Sequence, residues 1–350
     1  MSADVSVIIC ISNKTCAQID TVGGYGTGVG GGLRSGEQSA ATGTAVEADG
    51  VDAIDPGADR ASGENFPVAL RLLPARYRQH LMAVYGFART TDDIGDRAPP
   101  DQRLGLLAEL EADLRRLYPR DAGDSAPAGD SRSGRDGGSA AGPAEPPRSR
   151  VVGALGPAVA ECAIPMQPFL DLIQANRQDQ VVARYQTFED LLGYCRLSAN
   201  PVGRIVLYVF GSFSQRRAEL SDSICTALQL AEHWQDAAED LRAGRIYLPA
   251  EDLDRYGCTE EDLAQPSAAP RVRELLAFEV GRAKAMLDAG APLIGLLRGA
   301  ARAAVAGYVA GGRAALAAIA AADHDVLRGA PLPRKRRLAG ELVLAYARGR

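Results

Sequence analysis

From about Glu64 onward, apolar residues recur every three or four positions, and no stretch alternates apolar with polar as a half-buried strand must. In PARYRQHLMAVYGFARTTDDIGD, Leu81, Val84, Tyr85 and Ala88 stand at i, i+3, i+4 and i+7. RLGLLAELEADLRRLY sets Leu104, Leu107, Leu110 and Leu114 along one face. TFEDLLGYCRLSANPVGRIVLYVFG is helical with a kink or break at Asn200-Pro201, because proline lacks the donor and crowds the preceding turn. DSICTALQLAEHWQDAAEDLRAG reads as one long helix closing at Gly244. VRELLAFEVGRAKAMLDAGAPLIGLL and the Ala-rich segment after it complete the set. The expected fold class is all-α.

Composition agrees. Ala and Leu, both strong helix formers, dominate a chain that is 46% apolar and only 5% aromatic. A net charge of −5 argues against a nucleic-acid partner. Six scattered cysteines without a C-x-x-C pair read as reduced thiols of a cytoplasmic protein. Three histidines and no H-E-x-x-H speak against catalytic zinc. The run AAVAGYVAGGRAALAAIAAA is long enough to span a bilayer, but Arg313 in its middle would cost at least ~2.5 kcal/mol there. A buried helix is expected instead.

Two stretches break the periodicity. Residues 1–60 are expected to be a disordered extension. Their Gly26, Gly28 and Gly31 satisfy G-x-G-x-x-G, but no strand leads in and no helix pattern follows. Residues 119–150, rich in Gly, Pro, Ser and Asp, are expected to be a disordered insert within one domain spanning 61–350.

The chemistry concentrates in two acidic stretches. In TDDIGD, Asp92 and Asp96 stand at i and i+4 on one face, with Arg89 and Tyr85 one and two turns before. Like charges at this spacing destabilise a helix by ~0.2–0.5 kcal/mol, which a solvated helix end can bear. In LQLAEHWQDAAEDLRAGRIYLP, Glu232, Asp236 and Asp240 form a straight stripe, and apolar Leu228, Leu230 and Ala231 just before it suggest that the helix packs in the core. A core helix bears such a stripe only if the charges meet cations. Oxygen-only ligands suit Mg²⁺, which bridges to phosphate oxygens. Two aspartate pairs facing each other across a cavity would clamp a diphosphate and make it a leaving group. Beside the stripe, His233 reads as a packing or surface residue and Trp234 as a core anchor. Asp93 and Glu239 point off the motif faces and read as solvated or paired with a nearby arginine.

The paired motifs, with GRIYLP after the second, resemble the squalene/phytoene synthase family. The resemblance covers about Glu64 to the C-terminus, outside the insert. ENFPVALRLLP and YCRLSANPVGRIVL are similar to its hydroxysqualene synthase branch in bacterial hopanoid pathways. Condensing members usually begin with a Ser-Phe-Tyr type segment and carry Gly at the position of Asn200.

This resemblance implies an isoprenoid synthase helical bundle with a central apolar cavity. Asp92, Asp96, Asp236 and Asp240 would bind Mg²⁺ on a prenyl diphosphate. Glu232 would be a further ligand, where the family usually has Asn. Arg89 would contact the diphosphate, with Tyr85 and Tyr194 near the leaving group and Arg245 and Tyr247 beside them. Phe66, Ala199 and Val202 would line the lipid cavity. Gln235 stands in the substrate region where condensing enzymes commonly carry Arg.

The implied reaction is ionisation of presqualene diphosphate, rearrangement and capture by water. The pathway then implies a presqualene diphosphate synthase upstream and a reductase downstream. Condensation of two farnesyl or geranylgeranyl diphosphates is the alternative. A non-catalytic assembly relative is the third reading, and lost aspartates would be its signature. The basic stretch LPRKRRL reads as a solvated end or, functionally, as a peripheral contact with anionic lipid headgroups.

Overall fold

The structure, a computed structural model, describes residues 73–119 and 146–349. Phe66, the 1–60 extension and most of the 119–150 insert lie outside the described residues. Among the described residues fourteen helices follow one another: α1 Ala75–Arg97, α2 Arg103–Arg115, α3 Arg150–Cys162, α4 Gln167–Gln178, α5 Phe188–Ser198, α6 Asn200–Val209 and α7 Gln215–Gln235. After them come α8 Ala237–Arg242, α9 Ala250–Arg255, α10 Glu260–Leu263, α11 Pro270–Gly290, α12 Leu293–Leu296, α13 Gly299–Ala321 and α14 Lys335–Arg348. Among the described residues the only β pairing is an isolated bridge between Arg184 and Ile246.

Local chemistry sets the boundaries. Thr187 and Asp190 form a reciprocal capping box at the start of α5. Pro201 sits in the first turn of α6, where its missing donor costs nothing, so the expected break falls between α5 and α6. Asp113, near the end of α2, accepts the backbone N–H groups of Arg148 (2.6 Å) and Ser149 (2.8 Å). That clamp closes the ends of the 119–150 insert onto one bundle and starts α3.

Two expectations are corrected. Leu104 is 52% exposed, whereas Leu107, Leu110 and Leu114 are fully buried. Leu104 lies ~120° around the helix from Leu110, off the shared face. The long helix expected to run on to Gly244 breaks at Asp236 (φ −98°, ψ 9°), and α8 continues beyond the break.

The core forms around α7, α11 and α13. Trp234 anchors it with no exposure, as its sequence context suggested. Gly312 lets Leu228 and Leu287 press onto α13, where a Cβ would stand 2.7 Å and 2.9 Å from their methyls. Among the described residues, Gly299–Ala321 is the one helix long and apolar enough to cross a membrane, and 61% of its most apolar window is buried in the bundle. Arg313 within it pairs with Asp288 at 2.7 Å.

Candidate active site

Helix α1 delivers the first acidic pair. Arg103 ties down the end of this helix, donating to the carbonyls of Asp96 (2.9 Å) and Ala98 (2.8 Å) and to the Gln180 side chain (3.2 Å). Asn176 on α4 donates to the Asp92 carboxylate at 2.9 Å. It reaches that position because residue 95 is glycine: a Cβ there would stand 2.3 Å from Asn176 Oδ1. The Asp92 carboxyl is pushed up to about 8, first by burial and then by the charges of Asp96 and Asp179, with Asn176 and Arg89 opposing. Arg89 is buried and its Nε donates to Asp93 at 3.2 Å; Arg97 meets the same carboxylate at 3.2 Å. The off-face Asp93 is thus arginine-paired, as expected. Tyr85 is half-buried and packs against the core.

The second motif straddles the break between α7 and α8. Glu232, Asp236 and Asp240 are all buried, at 7%, 5% and 3% exposure. The Asp236 carbonyl accepts the Glu239 and Asp240 N–H groups, each at 2.8 Å, so the new helix starts from the motif itself. The stripe is therefore bent at its middle carboxylate rather than straight.

An extended segment, 183–186, carries the third component. Its carbonyls accept Ile246 N–H (3.0 Å), Ala250 N–H (2.9 Å) and Glu251 N–H (3.0 Å), pinning the GRIYLP strip alongside. Arg245 then reaches across to Asp96 at 3.2 Å and joins the two motifs directly. Burial opposes the charge of Arg245, yet Tyr247, Asp179 and Asp96 outweigh it and hold the guanidinium firmly protonated. Tyr247 stacks on His233 with ring centres 3.7 Å apart. His233 faces Asp240 at 3.8 Å and exchanges a hydrogen bond with Gln229 at 3.1 Å. Tyr194 donates its hydroxyl to Asp179 at 2.9 Å. Burial, then neighbouring Tyr247 and Asp179, raise the Tyr194 pKa well above the ordinary value, so it acts as a neutral donor.

Next to this polar cluster lies a cavity between α6, α7, α12 and α13. Ala199, Val202, Val206, Ile224, Leu228 and Val305 give it apolar walls, and Gln229 and Glu232 form a polar edge. Ala199 and Val202, expected to line a lipid cavity, are among the residues that line this one. Gln235 does not join the cluster through its side-chain amide, which donates to the Pro331 carbonyl at 2.6 Å.

Four residues of the site escaped the sequence reading: Asn176, Asp179, Gln229 and Tyr308, the last a cavity-lining tyrosine on α13. His233, read as a packing or surface residue, is buried among them. Asn176 did leave a signal. It occupies the i+7 position of the buried stripe Phe169, Leu172, Ile173, where an apolar residue belongs.

Among the described residues no three His, Cys, Asp or Glu side chains converge closely enough to cage an ion alone. Mg²⁺ commonly takes one or two carboxylates and completes its shell with water and phosphate oxygens. Separate aspartate pairs around a shared polar centre fit that use, and the raised Asp92 carboxyl marks a place where a cation would relieve crowded negative charge.

Comparison with known proteins agrees with this geometry. The family profile described as Squalene/phytoene synthase matches residues 59–337. Hydroxysqualene synthase of Rhodopseudomonas palustris is 35% identical over 233 residues, covering 66% of this chain and 70% of that protein. Phytoene synthase of Mycobacterium tuberculosis is 29% identical over 239 residues, covering 67% and 70%. The crystal structure of squalene synthase HpnC from Alicyclobacillus acidocaldarius superimposes with a TM-score of 0.64 at 40% identity, covering 76% of this chain and 91% of that one. An all-α bundle, two acidic motifs joined by Arg245 beside an apolar cavity, and these similarities together make the chain a member of the squalene/phytoene synthase family of isoprenoid-processing enzymes.

Proposed function

We propose that this chain ionises presqualene diphosphate and lets water capture the rearranged cation, giving hydroxysqualene for hopanoid or other triterpene synthesis in the cytoplasm. The carrying observation is the continuous path from the apolar cavity through Glu232, Gln229, His233 and Tyr247 to the Arg245–Asp96 bridge. A diphosphate held at one end of that path leaves its hydrocarbon in the cavity. When bound by Asp92, Asp96, Asp236 and Asp240 with Glu232, Mg²⁺ neutralises charge that builds on the leaving diphosphate.

The C–O bond breaks with its electron pair on the diphosphate. The cyclopropylcarbinyl cation rearranges, a water oxygen forms the new C–O bond, and the surplus proton passes to released diphosphate. The sum needs no external electrons. Arg89, oriented by Asp93, and Arg245, tethered to Asp96, are the cations at the diphosphate end. Tyr194, aimed by Asp179, and Tyr85 supply hydroxyl dipoles near the leaving group. Apolar walls shield the cation until capture.

Similarity to hydroxysqualene synthases and the SANPVG stretch favour this branch. So does Gln235, whose amide is engaged by Pro331 where condensing enzymes commonly present an arginine. Similarity to phytoene synthases supports a second reading, condensation of two prenyl diphosphates.

A product assay with Mg²⁺ and no reductant separates the two. Presqualene diphosphate should yield hydroxysqualene, and farnesyl diphosphate alone should stay unconsumed. Condensation of farnesyl diphosphate would establish the second reading and sink the first.

A further inference from the structure

The C-terminal helix α14, Lys335–Arg348, carries two apolar stripes, and the bundle uses only one. Leu338 (3% exposed) and Ala345 (0%) face inward, Leu338 packing on Ala310 and Ala314 of α13. A second stripe, Ala339, Leu342, Val343 and Tyr346, stands at i, i+3, i+4 and i+7, and all four residues are exposed. Leu342 is 40% exposed, Val343 67% and Tyr346 47%. Nine large apolar side chains are exposed among the described residues, and five of them (Leu332, Leu342, Val343, Leu344 and Tyr346) lie on this one segment. Such a concentration marks an interaction surface rather than scattered surface apolarity.

Charge identifies what the surface meets. Between Gly329 and Arg350 the sequence has six basic residues and one acidic residue, in a chain whose net charge is −5. Arg334 and Arg336 are exposed at the start of α14, Arg336 seven residues before Val343 and so on the same face. At the other end, Arg302 packs its guanidinium over the Tyr346 ring at 4.9 Å and donates to the Tyr346 carbonyl at 2.7 Å. The helix is thus an apolar strip with cations at both ends, held edge-on to the bundle. A helix of this pattern lies in the headgroup region, with its apolar side in the acyl boundary and its arginines on lipid phosphates. A second copy suits it poorly. Antiparallel pairing would bring Arg334 and Arg336 of one copy against Arg348 of the other, and parallel pairing would stack like on like.

We propose that α14 docks this protein on anionic membrane surfaces through Leu342, Val343 and Tyr346 with Arg334 and Arg336. The inference does not depend on which prenyl diphosphate is processed.

The test is co-sedimentation of the full chain with two vesicle types, neutral phosphatidylcholine and the same lipid with about 30 mol % phosphatidylglycerol. Partitioning should be at least roughly tenfold stronger on the anionic vesicles and should weaken as salt rises. Leu342→Ser with Val343→Ser should lower it by roughly tenfold or more. Arg334→Gln with Arg336→Gln should shrink the gap between the two vesicle types. All four side chains are exposed, so circular dichroism and melting temperature should match the parent for both variants. The proposal is overturned if the parent ignores anionic vesicles at low salt, or if the Ser variant binds like the parent. It is equally overturned if the parent is a dimer that the Ser pair converts to a monomer without any vesicle binding.

Discussion

Asn176 shows how one side chain outside the acidic motifs can organise them. Its amide holds Asp92, and Gly95 makes room for it. Gly95→Ala should therefore set two effects against each other. Helix propensity improves by ~0.5–1 kcal/mol, but the new Cβ overpacks the Asn176 amide at a cost of about 1–3 kcal/mol, so the melting temperature should fall modestly. Meanwhile the displaced amide gives up a hydrogen bond to a carboxylate, and kcat/KM should fall on the order of tenfold. A lower melting temperature with kcat/KM unchanged would show that Asn176 is only packing. Removing an acidic residue acts more directly. Asp236→Ala should cost on the order of a hundredfold or more in turnover, and circular dichroism should register an intact bundle. His233 belongs to the same scale. The sequence placed it ~100° around the helix from Glu232, off the stripe, but the turn at Asp236 brings it against Tyr247 and Asp240.

At the scale of elements, the site depends on close approach of α6 to α7. Gly203 on α6 faces Ser221 and Cys225 on α7, and a Cβ there would stand 2.4 Å and 2.5 Å from their side-chain atoms. All three residues also line the cavity. Gly203→Val should overpack this contact, lowering stability by about 1–3 kcal/mol in chemical denaturation. It should also narrow the cavity, so activity should fall more for the full-length lipid than for a truncated diphosphate. Equal losses on both substrates would mean that only the helix packing is disturbed. The extended strip 183–186 is the other element-scale device, because it aims Arg245 and Tyr247 with backbone hydrogen bonds rather than helix packing.

At the scale of the molecule, one buried ionic cluster should register in the pH dependence of stability. Glu279 on α11 has no exposure, and burial first, with Asp252 beside it, pushes its carboxyl up to about 8 against the pull of Arg282. Arg282 spends its closer contact, 2.5 Å, on Asp252. The folded protein thus keeps the Glu279 proton that the unfolded chain releases near its ordinary value of 4.5. This contribution is fully present below pH 4.5 and is lost progressively as pH rises through about 8. Glu279→Gln mimics the protonated form. Its stability relative to the parent should climb across that window, reaching an advantage of several kcal/mol by its upper end. Parallel stability curves for the two proteins would show that Glu279 does not retain its proton.

The sequence alone determined the fold class, most helices, and the identity of the acidic motifs. Helical periodicity and i, i+4 carboxylate spacing are local properties, and a helix displays them whatever it packs against. Tertiary structure decided which polar residues serve the site. Asn176 and Asp179 come from the end of α4, Arg245 and Tyr247 from a strip pinned by long-range backbone bonds, and Tyr308 from α13. It also decided that Leu104 faces solvent, that the second acidic stripe bends at Asp236, and that the Gln235 amide goes to Pro331. Each depends on a partner far along the chain, and spacing within a single helix carries no record of partners.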